Sequence, residues 1–141
     1  MKGTRTVLFD SGTTTGFHGG SHHAENPDRI RDYSLINKYH VSMLPYFLDR
    51  LKNAQEGDKS LLDKTLIVYG SPMGDSNLHN HRRCPLLLLG GANGKLQGNT
   101  HIKAPDGTPM ANALLTVAHT LGMEDMKSLG DSSGLLSVTN T

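Results

Sequence analysis

The sequence predicts an α/β fold with a mostly parallel sheet, and three stretches carry that expectation. Residues 65–69 (Thr65-Leu66-Ile67-Val68-Tyr69) form an unbroken apolar run closed by Gly70, the pattern of a strand buried on both faces. Residues 4–9 are β-branched and apolar and stop at the turn signal Asp10-Ser11-Gly12, which reads as another strand. Between them Ile30, Tyr33, Ile36, Tyr39, Met43, Phe47 and Leu51 recur at three- and four-residue spacing, the stripe of an amphipathic helix of about seven turns. Strand, long helix and strand in succession predict a right-handed crossover between parallel neighbours.

The remaining elements follow from local signals. Asn26 and Pro27 suit the cap and first position of the long helix, and Pro45, which lacks a backbone donor, is expected to kink it. Glu56-Gly57-Asp58 is read as its end, and residues 60–63 as a single helical turn. Residues 86–89 are a further strand ended by Gly90-Gly91, and residues 100–102 a short one. Thr108-Pro109 opens a second helix, with Met110, Ala113, Leu114, Val117, Ala118 and Leu121 as its apolar stripe and Gly122 as its terminator. His40 falls near the first stripe as a core or boundary residue, and His119 falls late in the second helix, where it suits the dipole.

The chain of 141 residues is read as one domain spanning 1–141. A net charge of +1 offers no general attraction to nucleic acid or to an anionic membrane, so neither is an expected partner. No apolar run approaches the ~20 residues that span a bilayer. No charged-then-apolar leader opens these residues. Cys84 is the single cysteine, which rules out a disulfide within the chain; between Arg83 and Pro85 it reads as a small packed residue before a reactive thiol or a ligand.

Chemistry is concentrated in two polar loops. His18, His22 and His23 lie within six residues after the first strand, and His79 and His81 follow Asp75 after the strand at 65–69, so five of the eight histidines sit in two segments. Ligands of open α/β sheets collect at the carboxyl ends of parallel strands, which is the reason to place both loops in one pocket. His18 and His22 are four apart; a helix would put them on one face, but Gly19-Gly20 between them favours a loop. His79 and His81 are two apart, so extended backbone would turn both rings to one side. Neutral imidazoles with one carboxylate, Asp75 or Asp10, form a nitrogen and oxygen donor set suited to a divalent ion, zinc above all. The expected metal ligands are therefore His18, His22, Asp75, His79 and His81. Ser21 beside His22 is the candidate nucleophile–base pair, with His23 as a further proton-transfer group. Arg82 and Arg83 would clamp an anionic group or stand as a solvated charged pair.

The run His18-Gly19-Gly20-Ser21-His22-His23 resembles the signature of the bacterial HXXSHH-motif family, whose function is unknown. The likeness continues through Asn26-Pro27, Ile36-Asn37-Lys38-Tyr39-His40, Glu56-Gly57-Asp58, Leu61-Leu62-Asp63-Lys64-Thr65-Leu66, the run from Gly70 to His81, and Leu129-Gly130-Asp131-Ser132. That family in turn is similar to the sulfatase and alkaline-phosphatase-like superfamily. The resemblance implies a three-layer α/β/α sandwich in which the strand at 85–90 runs antiparallel, with Asp75, His79 and His81 at metal-site positions. It also implies that longer members carry an export leader and a further α/β half, of which this chain would be the C-terminal part.

Two functions are expected from these features. The first is a metal-dependent hydrolase-like domain acting on a small anionic phosphate or sulfate ester. The alternative is a non-catalytic binding or assembly module that self-associates over an open sheet edge, or that docks on a missing N-terminal half.

Overall fold

The computed structural model describes residues 9–137. The expected first strand lies, up to Leu8, outside them, and Phe9 opens a 3-10 turn, Phe9–Ser11. In chain order the elements are α1 (Phe17–Ser21), α2 (Pro27–Asn53), β1 (Gln55–Glu56), β2 (Lys59–Ser60), α3 (Leu61–Lys64), β3 (Ile67–Gly70), β4 (Leu86–Leu89) and α4 (Met110–Thr120).

Helices and strands are mixed, as the α/β expectation requires; the parallel crossover expected through the long helix has its first strand, up to Leu8, outside the described residues, and the strand at 86–89 runs antiparallel, as the resemblance implies. The strands form two antiparallel pairs, β1 with β2 and β3 with β4, and among the described residues no parallel pair and no three-layer sandwich is formed. The reason lies in the connection. Residues 71–85 contain no helix to carry a crossover, and the Ser71 N–H donates to the Pro85 carbonyl at 3.1 Å, folding the segment back on itself. A chain that returns in this way pairs antiparallel. The register sets Ile67 opposite Leu89 and Gly70 opposite Leu86. Burial along β3 alternates, so it is a half-exposed strand and not the doubly buried one that its composition suggests.

The long helix forms where its stripe predicts. The Asn26 side chain accepts from the N–H groups of Asp28 and Arg29 at 3.0 and 3.2 Å, Pro27 holds the first position, and Arg50 and Lys52 occupy the last turn, where cations suit the dipole. The helix runs for 27 residues with Pro45 inside it. Its stripe is only partly a core. Ile36 is fully buried, whereas Ile30, Met43 and Phe47 on the stripe are exposed, as are Val41 and, at 71%, Tyr46 beside it. The expected end at residues 56–58 is instead the tip of the β1–β2 hairpin, with Gly57 at φ 69°, a value that suits a tight turn.

Ser60 and Asp63 form a reciprocal cap on α3. The Ser60 hydroxyl accepts from the Asp63 N–H at 3.2 Å and donates to the Asp63 carboxylate at 2.7 Å, and the Ser60 N–H donates to that carboxylate at 3.1 Å. The Ser60 hydroxyl, then its N–H, holds the Asp63 carboxyl below its usual range. A group depressed in this way stabilises the fold above its unfolded pKa and loses that contribution as pH falls through the folded value. Ser60→Ala is expected to cost about 1 kcal/mol at neutral pH. The difference from the parent should shrink in denaturant titrations as the solution is acidified.

The second core belongs to α4, which buries Ala113, Leu115, Val117 and Ala118; Leu121, expected on the stripe, is exposed. Its polar positions tie down the following chain. The Ser133 N–H donates to the Asn112 side chain at 2.9 Å, and the Leu136 N–H donates to the Thr116 hydroxyl at 3.0 Å while that hydroxyl donates to the Leu136 carbonyl at 2.7 Å. His119 does not serve the helix terminus itself: its Nε2 lies 2.8 Å from the Met126 carbonyl. Residues 100–102 form no strand. Among the described residues no helix is long and apolar enough to cross a membrane.

Candidate imidazole site

The first histidine segment is helical and not the loop its glycines suggest. The Gly20 N–H donates to the Gly16 carbonyl at 2.8 Å, closing the turn of α1. Gly20 serves close approach: a Cβ there would stand 3.1 Å from Thr15 Cγ2, 3.5 Å from the Tyr33 ring and 3.6 Å from Ile36 Cδ1. The glycine therefore lets α1 lie against α2, where the Thr15 hydroxyl also donates to Asp32 at 2.9 Å. Phe17 completes the contact, its ring 5.7 Å from Tyr33 and 5.3 Å from the half-buried His40. Because α1 is a helix, His18 and its C-cap residue His22 come one turn apart on one face. Their ring centroids are 4.9 Å apart at 74°.

The second segment is a tight turn. Asp75 Oδ1 accepts from the N–H groups of Asn77 and Leu78 at 2.9 and 3.2 Å, and the backbones of Asp75 and Asn80 bridge across the turn. His79 takes φ 52°, a left-handed conformation that non-glycine residues rarely hold. That turn carries its ring to 4.9 Å from His22. The two histidine segments thus meet, with the half-buried His22 between the exposed His18 and His79. Three hydrogen bonds join them: the Ser76 hydroxyl to the Ser21 carbonyl at 3.1 Å, the Ala24 N–H to Asn77 Oδ1 at 2.8 Å, and Asn77 Nδ2 to Glu25 Oε1 at 3.2 Å. Asn77, Ser76 and Glu25 were not singled out from the sequence. The Asp75-Ser76-Asn77 run does carry a turn signal, but nothing local marks its partner more than fifty residues away.

The other expected site residues are employed elsewhere. The His81 Nδ1 lies 2.7 Å from the Pro72 carbonyl, so the two rings of the 79/81 pair diverge. The same-side expectation assumed extended backbone, and the left-handed His79 breaks it. Asp75 spends Oδ1 on its own turn. Ser21 is buried and its hydroxyl donates to the His18 carbonyl at 2.7 Å, a helix-end bond in place of one to the His22 ring. His23 sits apart, with Nδ1 3.3 Å from the Glu25 N–H and 3.7 Å from the Glu25 carboxylate, and its ring 6.4 Å from Tyr33. Arg83 forks onto Asp106 at 3.1 and 3.4 Å, which raises the guanidinium pKa and lowers that of the carboxyl. Arg82, also exposed, adds a smaller charge effect on the same Asp106 carboxyl. Cys84 is half-buried, its thiol donating to the Pro72 carbonyl at 3.1 Å.

Spacing decides how far the cluster suits a metal. With nitrogen about 2.0–2.1 Å from zinc and the ring centre about 1.1 Å further, two imidazoles at 90–110° on one ion have centroids about 4.5–5.2 Å apart. The 4.9 Å of His18 with His22, and of His22 with His79, falls in that window. Plain ring packing gives similar distances. As they stand, no three His, Cys, Asp or Glu side chains among the described residues are arranged to hold one ion. The pairwise spacing therefore does not separate ring packing from two imidazoles on one ion, and the five-residue ligand set is not assembled among the described residues. Compared with known proteins, the chain matches no family model, no curated protein and no solved structure.

Proposed function

We propose that the chain is a metal-dependent hydrolase-like domain of the HXXSHH type, acting on a phosphate or sulfate ester at the junction of its two histidine segments. The observation that supports this is the placement of His22 between His18 and His79, drawn from sequence positions almost sixty residues apart. His22 with either neighbour would hold the ion. A bound divalent ion supplies a Lewis acid for the ester oxygen and brings the pKa of a bound water toward neutrality. Whichever of the exposed His18 and His79 rings does not hold the ion is open to solvent and can carry protons to and from substrate. Ser21, committed to the His18 carbonyl, holds the helix end and is not the nucleophile in this reading.

The test is elemental analysis of protein purified without added metal, followed by zinc titration and hydrolysis of aryl phosphate and aryl sulfate. His22→Ala and His79→Ala are expected to weaken metal binding and hydrolysis on the order of 10–100-fold or more, and His81→Ala to leave both near the parent. Failure to bind zinc, with hydrolysis no faster than background, rejects the reading.

A second reading, a self-associating binding module, is favoured by a separate observation. Val41, Met43, Tyr46 and Phe47 are exposed along α2, and the β3–β4 pair has no third strand on either side among the described residues. Light scattering on the same samples separates the two. An oligomer without metal or hydrolysis supports assembly.

A further inference from the structure

We propose that Asn77 is the positioning residue of the imidazole cluster, a latch that sets the distance between His22 and His79. The proposal deepens the metal-site reading and rests on it for its functional consequence. Its geometric content, the distance between two rings, stands apart from any metal.

Asn77 is half-buried and uses both ends of its amide across the junction: Oδ1 accepts from the Ala24 N–H at 2.8 Å, and Nδ2 donates to Glu25 Oε1 at 3.2 Å. The pairing is directional. A backbone N–H needs an acceptor and a carboxylate needs a donor, and the amide is the neutral side chain that supplies both. The latch stands two residues from each ring, His22 preceding Ala24 and His79 following Asn77. It also meets the most strained backbone of the site. Ala24 and Glu25 are successive left-handed residues at φ 51° and 55°, and His79 is left-handed at φ 52°. Such conformations are unfavourable for residues with a side chain and persist only where surrounding contacts over-determine them. On the first segment those contacts include the latch. On the second they are the Asp75 bonds that place Asn77 and Leu78. The Ser76–Ser21 bond ties the segments closer to α1 but touches none of these three residues.

The chemistry suggests an exchange that a merely structural residue would not reproduce. Asn77→Asp keeps the acceptor for Ala24 but sets a carboxylate against Glu25. Adding Glu25→Gln restores the complement with donor and acceptor reversed, since the new amide can donate to the new carboxylate. Asn77→Ala removes both bonds.

The experiment reads ring proximity directly in the metal-free full chain, through nuclear Overhauser cross-peaks between the His22 and His79 ring protons, alongside cobalt titration by visible absorption. The parent is expected to show the cross-peak, Asn77→Ala and Asn77→Asp to lose it, and the Asn77→Asp/Glu25→Gln pair to regain it. Cobalt affinity should fall on the order of 10–100-fold in the single variants and recover in the pair. Absence of the cross-peak in the parent, its retention in Asn77→Ala, or a pair no better than Asn77→Asp overturns the latch. Should Asn77→Ala fail to fold, the comparison of Asn77→Asp with the pair still decides. A cross-peak that follows the latch in a parent that takes up no cobalt rejects the metal reading and upholds the latch.

Discussion

Replacing Ile36 by alanine is expected to cost about 2–5 kcal/mol and to release the first histidine helix from its seat. Ile36 is fully buried, the one position of the long α2 stripe that is, and its Cδ1 stands 3.6 Å from where a Cβ of Gly20 would be. The side chain therefore fills the space between α1 and α2 that the glycine opens. Removing three carbons there forfeits the burial and leaves a void that α1, a helix of five residues, has few other contacts to close. His18 and His22 ride on α1 and its C-cap, so the loss reaches the site: the His22–His79 cross-peak should weaken together with stability. Tyr46→Ser supplies the contrast. That ring is 71% exposed, and its removal should change stability by no more than about 0.5 kcal/mol. Denaturant titrations of both variants check the pair. Equal losses would mean that the outer face of α2 is covered in solution, which is what the assembly reading requires.

What the sequence discloses and what it conceals divide along physical lines. α2 and α4 are legible because a helical stripe and its caps are local: Asn26, Pro27 and Gly122 act within a turn of where they stand. The strands at Ile67–Gly70 and Leu86–Leu89 are legible in position for the same reason. Their direction is not legible in the runs themselves, because an apolar run reads alike in a parallel and an antiparallel sheet; the antiparallel course of the second came only from the family resemblance. The discriminating feature is the connection, since residues 71–85 lack the helical period that a crossover needs. Gly19-Gly20 misleads because glycine has two uses, backbone freedom and close approach, and only the position of α2 reveals that Gly20 has the second. The 79/81 spacing misleads because two-residue alternation holds for extended chain, and the Asp75 turn abolishes it. The two histidine segments do meet, at His22 and His79, but the expected ground for it, strand ends sharing one edge of a parallel sheet, is not found among the described residues. The Asn77 bonds that hold them so were not legible, as hydrogen bonds between residues fifty apart leave no local trace.

Gly74→Ala should disrupt the second histidine segment outright, at a cost of about 1–3 kcal/mol. The backbone angle of Gly74 is not left-handed, so conformational preference does not demand glycine there. Space does. A Cβ would overlap the Arg82 carbonyl oxygen and stand 3.3 Å from the Arg83 carbonyl carbon. Both obstacles are backbone, which cannot rotate aside as a side chain can, so the two arms of the turn must part. Their separation breaks the bond from the Gly74 N–H to the Asn80 carbonyl at 3.1 Å, and with it the bridge between Asp75 and Asn80. His79 lies inside that closure and would leave His22. Gly19→Ala is the opposite case: a Cβ there meets nothing within 4 Å, inside a helix. It should stabilise the protein by roughly 0.5–1 kcal/mol through the lower entropy of its unfolded chain. Thermal melts with the His22–His79 cross-peak as a local reporter measure both variants. A Gly74→Ala protein that keeps its melting temperature and its cross-peak would show that the turn closes in some other way, and the imidazole junction would need a different anchor.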